Sequence, residues 1–164
     1  MVHPSRKRQL GLLLAGGILM ALWPVAARSQ GITFDTTHLM LYTGSGRHEF
    51  IVHVAENQTQ TNLGLRYRHS IDPDGGLLIV QSIAAPTVMQ VSNEGMSLPM
   101  DLLFVASDGT VREVHPWVLP DSSEPIVSTA PVAAAVELAG GTITNYGILP
   151  GDRIIGGGLG VASQ

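Results

Sequence analysis

The chain has 164 residues, 45% of them apolar, and carries 9 Lys and Arg against 13 Asp and Glu for a net charge of −4. That length allows one domain with a real core. There is no cysteine, which excludes a disulfide framework, a thiolate nucleophile, a cysteine metal site and a lipid-attached cysteine.

The N-terminus has the pattern of a secretory signal peptide. Arg6, Lys7 and Arg8 form a positive region, Leu10 to Leu22 an apolar one, and small residues around Ala27 and Ser29 offer two cleavage points. The apolar run falls short of the roughly 20 residues that a bilayer-spanning helix needs, so the expectation is cleavage, no stable membrane anchor, and a periplasmic or extracellular protein. Loss of Arg6, Lys7 and Arg8 takes the net charge from −4 to −7, and no lysine follows Lys7. A partner with a phosphate backbone is therefore not expected, because the neutralising charge is missing. The expected division is residues 1–29 as signal peptide, 30–48 as an N-terminal extension, 49–155 as a β-barrel domain and 156–164 as a disordered tail.

Beyond the leader, Ile32 to Tyr42 carries short apolar stretches that suit one or two edge strands. Glu49 to Ala55 alternates, with Phe50, Val52 and Val54 on one face and Ile51, His53 and Ala55 on the other, the period of a strand. Glu56 to Tyr67 lacks β-branched apolar runs and suits a short helix or helical turn. Asp72-Pro73-Asp74-Gly75-Gly76 is turn chemistry leading into a buried strand, Leu77 to Val80. The central strand lies within Leu98 to Ala106: Leu102, Phe104 and Ala106 share one face and Asp101, Leu103 and Val105 the other, so both faces should be buried. Asp108-Gly109 joins it to Thr110–His115 as a hairpin. Four prolines between Pro116 and Pro131 predict a long extended loop, broken by a short strand at Ile126-Val127. Val132 to Leu138 alternates with Glu137 on the less apolar face, and Gly140-Gly141 and Tyr146 to Asp152 read as turns before a last strand at Arg153 to Ile155. Short strands at this spacing predict a mainly β fold, a single small barrel or sandwich of largely antiparallel strands with one or two short helical turns.

Several segments match one family in order. Gly64-Leu65-Arg66-Tyr67-Arg68 resembles a glycine-leucine-methionine-x-arginine motif, and Gly76-Leu77-Leu78-Ile79 a glycine-methionine-leucine-phenylalanine strand. Gly95-Met96-Ser97-Leu98-Pro99-Met100-Asp101, Val136-Glu137-Leu138 and Gly147 to Asp152 resemble three further segments. Together they resemble domain of unknown function 192, small β-domains of bacteria and archaea. The resemblance implies a compact, mainly β fold, often exported, with no established activity or catalytic residue. Two departures stand out: Ser92 to Met96 replaces a tryptophan-methionine-lysine-asparagine-threonine run, and Thr61 stands where the family usually has arginine.

The polar residues of the best-matched segments are Arg68, Asp101 and Glu137, and a barrel could bring them together at one end. An arginine with two carboxylates makes a directional hydrogen-bonding set for sugars or other polar ligands. A structural pairing of Arg68 with Asp101 is the plainer expectation, and Glu137 could simply face water. Asp101 with Glu94 or Glu137 could also form a carboxylate pair acting on a glycosidic bond. Trp117, on the proline-stiffened loop, could stack on a sugar, anchor a partner or plug one end of the barrel. The histidines His38, His48, His53, His69 and His115 lack metal-ligand spacing, and no metal or other cofactor is expected. The expected function is a non-catalytic binding or accessory module for a small polar ligand or an envelope protein. The alternatives are a carboxylate-dependent hydrolase acting on carbohydrate and a purely structural domain.

Overall fold

The computed structural model describes residues 31–66 and 68–160. The expected signal peptide lies outside the described residues. Among them no helix is long and apolar enough to cross a membrane.

The fold is mainly β, as the alternating patterns predict. A nine-residue strand β1 (Asp35–Thr43) turns back into β2 (Gly46–Ala55). A short helix α1 (Gln58–Leu63) then leads to β3 (Gly75–Val80), which pairs parallel to β2. A parallel pair needs a crossover, and the segment carrying α1 supplies it. A two-residue strand β4 (Gln90–Val91) precedes the hairpin of β5 (Met100–Val105) and β6 (Val111–Val118). Strand β7 (Ile126–Val127) pairs with β4, and β8 (Ala134–Ala139) inserts between β5 and β3. Helix α2 (Thr142–Tyr146) and β9 (Arg153–Ile155) complete the chain.

The seven-stranded sheet runs β6-β5-β8-β3-β2-β1-β9. It curls until its two edges meet: Val111 N–H donates to Asp152 O at 2.8 Å and Ile154 N–H to Gly109 O at 2.7 Å, around a bridge between Thr110 and Arg153. Gly109 makes that seam possible, since a Cβ there would lie 2.1 Å from the Ile154 carbonyl oxygen and its φ is +83°. The concave side packs Leu39, Phe50, Val52, Leu78, Leu103, Val136, Ile148 and Ile154. The opposite face packs Leu77, Ile79, Leu102, Phe104 and Ala135 beneath Leu65, Met89, Val91 and Met96. All six residues of β5 are buried, as its two apolar faces require.

Several expected boundaries change. The described part of the segment 30–48, expected as an extension, belongs to the sheet, because β1 is hydrogen-bonded to β2 on one side and β9 on the other, so it is an interior strand and β9 the edge. The glycine-rich end, expected to be disordered, is ordered through residue 160. Leu159 is fully buried, and Gly157 lets the backbone pass where a Cβ would sit 2.4 Å from Leu78 Cδ2. Residues 161–164 lie outside the described residues. Helix α2 occupies a stretch that reads as turn from its glycines. Pro116 and Trp117 belong to β6 rather than to a loop. They form a bulge in which the register passes from Leu102–His115 to Met100–Val118, leaving two residues opposite Asp101.

Gly76 illustrates the tightness of the sheet. A Cβ there would stand 2.2 Å from the backbone oxygen of Glu137 on β8. Gly76→Ala is expected to force β3 and β8 apart and lower the melting temperature by 10 °C or more in a thermal scan, since neither backbone can yield cheaply (roughly 1–3 kcal/mol or more for overpacking).

Candidate functional site

The expected cluster of Arg68, Asp101 and Glu137 does not form, and the cause is the pleat. Asp101 pairs across the sheet with Leu138, and Glu137 pairs with Leu102 and Leu77. Directly opposed residues share a face and successive residues alternate, so Asp101 and Glu137 point to opposite sides. They cannot flank one glycosidic bond as a carboxylate pair.

Asp101 is fully buried and its partners are two backbone amides. Oδ1 accepts the Trp117 N–H at 2.8 Å and Oδ2 the Ile143 N–H at 2.6 Å. The second bond caps α2, whose N-cap residue Gly141 has no side chain to do so. The first holds the bulge, where Trp117 takes a φ of +52°. The expected pairing with Arg68 is therefore corrected: amides answer the carboxylate, and they do so at a structural corner.

Trp117 lies at that same corner. Its ring approaches Gly141, where a Cβ would be 3.1 Å from Cζ2. Its side chain is no plug, for the residue is 55% exposed. Arg68 lies elsewhere, lining a small recess of about 150 Å³ with His53 and Asp72. Burial, and then the Arg68 cation, hold the His53 imidazole below its ordinary pKa, with Asp72 acting in the opposite sense.

Glu137 is the residue that stands over open space. It is 4% exposed rather than facing water, and its Oε2 has no hydrogen-bond partner among the described residues. It lines a cleft of about 590 Å³ on the convex side of the sheet, a volume within the usual range for small-molecule sites. Sheet residues Ile79, Val80 and Gln81 join it, and α1 with its flanks supplies Glu56, Asn57, Gln58, Thr61, Asn62 and Arg66. Val88 to Ser92, around β4, close the other side. Burial pushes the Glu137 carboxyl up to about 7, opposed in part by the Arg66 cation.

The cleft wall is held by polar ties. Asn57 accepts the Gln60 N–H at 3.0 Å as the N-cap of α1, and Gln60 in turn accepts from Glu56 N–H at 2.7 Å and donates to Thr33 O at 2.7 Å. Gly64 ends the helix at φ +53°, which accounts for the glycine of the first matched segment. Arg66 follows, donating through Nε to Glu94 O at 2.5 Å and through Nη1 to Asn62 O. Its guanidinium is thus turned to carbonyl oxygens, and no ion pair with Glu137 occurs among the described residues. Thr61, where the resemblance places an arginine, is on this wall too.

Of the four residues read from sequence, only Glu137 lines the larger cleft. Arg66 and the amide rim were missed, because their convergence depends on how a 19-residue crossover (56–74) folds over the sheet. One signal was available: Glu137 is the sole charge in the run from Pro131 to Ile143, and its neighbour on that face, Ala135, is too small to cover it.

The family model DUF192, described as "Uncharacterized ACR", matches residues 40–156. Among solved structures, a protein of Sinorhizobium meliloti 1021 described as a candidate transcription regulator is 36% identical, with a TM-score of 0.74 over 79% of this chain and 99% of that one. A protein of unknown function from Novosphingobium aromaticivorans DSM 12444 is 24% identical, with a TM-score of 0.70 over 82% of this chain and 91% of that one, a likeness of fold. No functionally curated protein matches the chain.

Proposed function

The chain belongs to the domain of unknown function 192 family, and from that premise we propose that it is a binding module for a small polar ligand, held in the convex cleft with Glu137 as its anchor. One observation carries this reading: a buried carboxylate with an unpartnered oxygen lines a cleft of about 590 Å³. Such a group is costly to keep unless something answers it, and α1, β4 and the sheet leave room for that partner. Residues 1–29 support export to the periplasm or beyond, where an envelope component would be the available ligand.

A regulator of transcription, the description attached to the S. meliloti protein, is less well supported. The chain is acidic, with 9 Lys and Arg against 13 Asp and Glu, and both described helices have six residues or fewer, too short to fill a major groove as a recognition helix.

The test is a thermal-shift screen of the full-length chain against sugars, amines, metal ions and cell-wall fragments, with Glu137→Gln alongside. A ligand at 100 times its dissociation constant adds about 2.7 kcal/mol, several degrees for a domain of this size at roughly 2–8 °C per kcal/mol. The expected result is a hit whose shift disappears in the variant. Shifts of equal size in both proteins, or none in either, would sink the proposal.

A further inference from the structure

We infer that the ligand of the convex cleft is an organic cation, bearing an ammonium or guanidinium group that docks on Glu137. The inference rests on the binding reading above and adds the sign of the charge. Four observations support it. Glu137 Oε2 lacks a partner among the described residues, and the strongest answer to a buried carboxylate is a charged donor that also makes hydrogen bonds.

Among the described residues the one cation lining the cleft, Arg66, donates through Nε and Nη1 to the carbonyls of Glu94 and Asn62 and makes no ion pair with Glu137. It biases the site without occupying it. A second carboxylate, Glu56, stands on the rim, and with Glu137 ionised the lining carries two negative charges against one positive. Finally, Gln58 donates to Asn62 Oδ1 and Gln81 to Thr87 Oγ1, so each spends an amide N–H internally and keeps its carbonyl oxygen for a donor. The nitrogens of Asn57 and Asn62, whose oxygens are used, remain for acceptors on the rest of the ligand.

An anion fits poorly, because the two carboxylates outweigh the single guanidinium of the lining. An uncharged polyol would satisfy the rim but leave the carboxylate to be answered by hydroxyl groups alone, a weaker charge-to-dipole contact.

The charged and titratable groups around Glu137 set how binding responds to pH. Arg66 and Glu56 face the cleft, while His115 on β6 and His53 on β2 lie in the same register row, each two strands away. Adjacent strands are about 4.8 Å apart, so both imidazoles stand roughly 10 Å off, and Glu137 itself is the group whose ionisation controls docking. With its carboxyl raised to about 7, a cation that binds the ionised form at pH 7 must displace about half a proton per molecule bound.

Isothermal titration of the full-length chain is the experiment, with 1,4-diaminobutane and argininamide as cations, myo-inositol and glucose as uncharged polyols, and glutarate as an anion. At pH 8 a cation is expected to bind at least tenfold tighter than any polyol, and Glu137→Gln to remove that preference. Affinity should fall roughly tenfold to a hundredfold between pH 8 and pH 5 as the carboxyl takes up its proton. Titration of the unmodified chain at pH 7, in buffers of different ionisation enthalpy, should report the proton release and depends on no variant. Arg66→Gln supplies an opposite sign when measured at a pH high enough to keep Glu137 ionised without the downward pull of Arg66: cation affinity should rise severalfold. Polyols or glutarate binding in a Glu137-dependent way, with cations inert, would overturn the charge assignment and leave the cleft as a binding site. Failure of every probe to bind would overturn the cation inference while the broader screen judges the cleft, and a cation that binds without proton release would exclude Glu137 as its anchor.

Discussion

Glu137→Gln is expected to raise the melting temperature by about 10 °C at pH 8 and to leave it nearly unchanged at pH 4. The carboxyl ionises near 4.5 in the unfolded chain and at about 7 in the fold. Between those values the folded protein keeps a proton that the unfolded chain has released, so stability declines as pH rises through this window. Below it both states are protonated and no penalty exists; above 7 the whole penalty stands. A displacement from 4.5 to about 7 at 1.36 kcal/mol per pH unit corresponds to about 3 kcal/mol, which glutamine avoids by carrying no charge. At roughly 2–8 °C per kcal/mol the gain is easily resolved. Calorimetry of both proteins at pH 4, 6 and 8 checks it. A variant that melts earlier at every pH would mean that the carboxylate holds the sheet together. A group that costs stability in the free protein and stands over a cleft is what a binding role predicts, since activity sites often carry strain that a stability-only optimum would remove.

The same residue marks where sequence reasoning stops. Alternation placed Glu137 on the correct face of β8, because a period of two survives any error in topology. It did not show what covers that face. Covering is done by α1, Leu65 and β4, which arrive through a crossover whose path no local pattern encodes. The strands themselves were legible for a related reason. Phe50 and Val52 on one side of β2, and Leu102 and Phe104 against Leu103 and Val105 on β5, divide between the two apolar clusters as their alternation requires.

Helix α2 was hidden for another reason. Five residues flanked by Gly141 and Gly147 carry no helical periodicity to detect, and a helix that short is not stable alone. It exists because the sheet holds both its ends. Asp101 takes an amide at the start, while Thr43 and Ser45 donate hydroxyl hydrogen bonds to the Tyr146 carbonyl, at 3.2 and 2.6 Å, at the finish. Arg68 and Asp101 were singled out because matched segments contain them. Segment matching cannot separate a residue that shapes the backbone from one that meets a ligand, and here the geometry assigns Asp101 to the first kind.

That assignment makes Asp101 the second large effect. In Asp101→Ala the amides of Trp117 and Ile143 both lose their buried acceptor, and each orphaned donor costs about 1–3 kcal/mol. The expected loss is therefore about 2–6 kcal/mol, a fall on the order of 10 °C in melting temperature by the same relation. Asp101→Asn is expected to fall between this variant and the parent. Its single amide oxygen can serve one N–H, while its NH₂ opposes the other donor. The damage should be local in origin. Hydrogen exchange should show lost protection at Ile143 and along α2, and the exposed Trp117 indole should change its emission as the bulge loosens. Binding in the Glu137 cleft should persist in whatever fraction remains folded, because the two carboxylates occupy opposite faces of the sheet. A variant at Asp101 that keeps its melting temperature but loses the ligand would reverse the assignment and return Asp101 to the binding site.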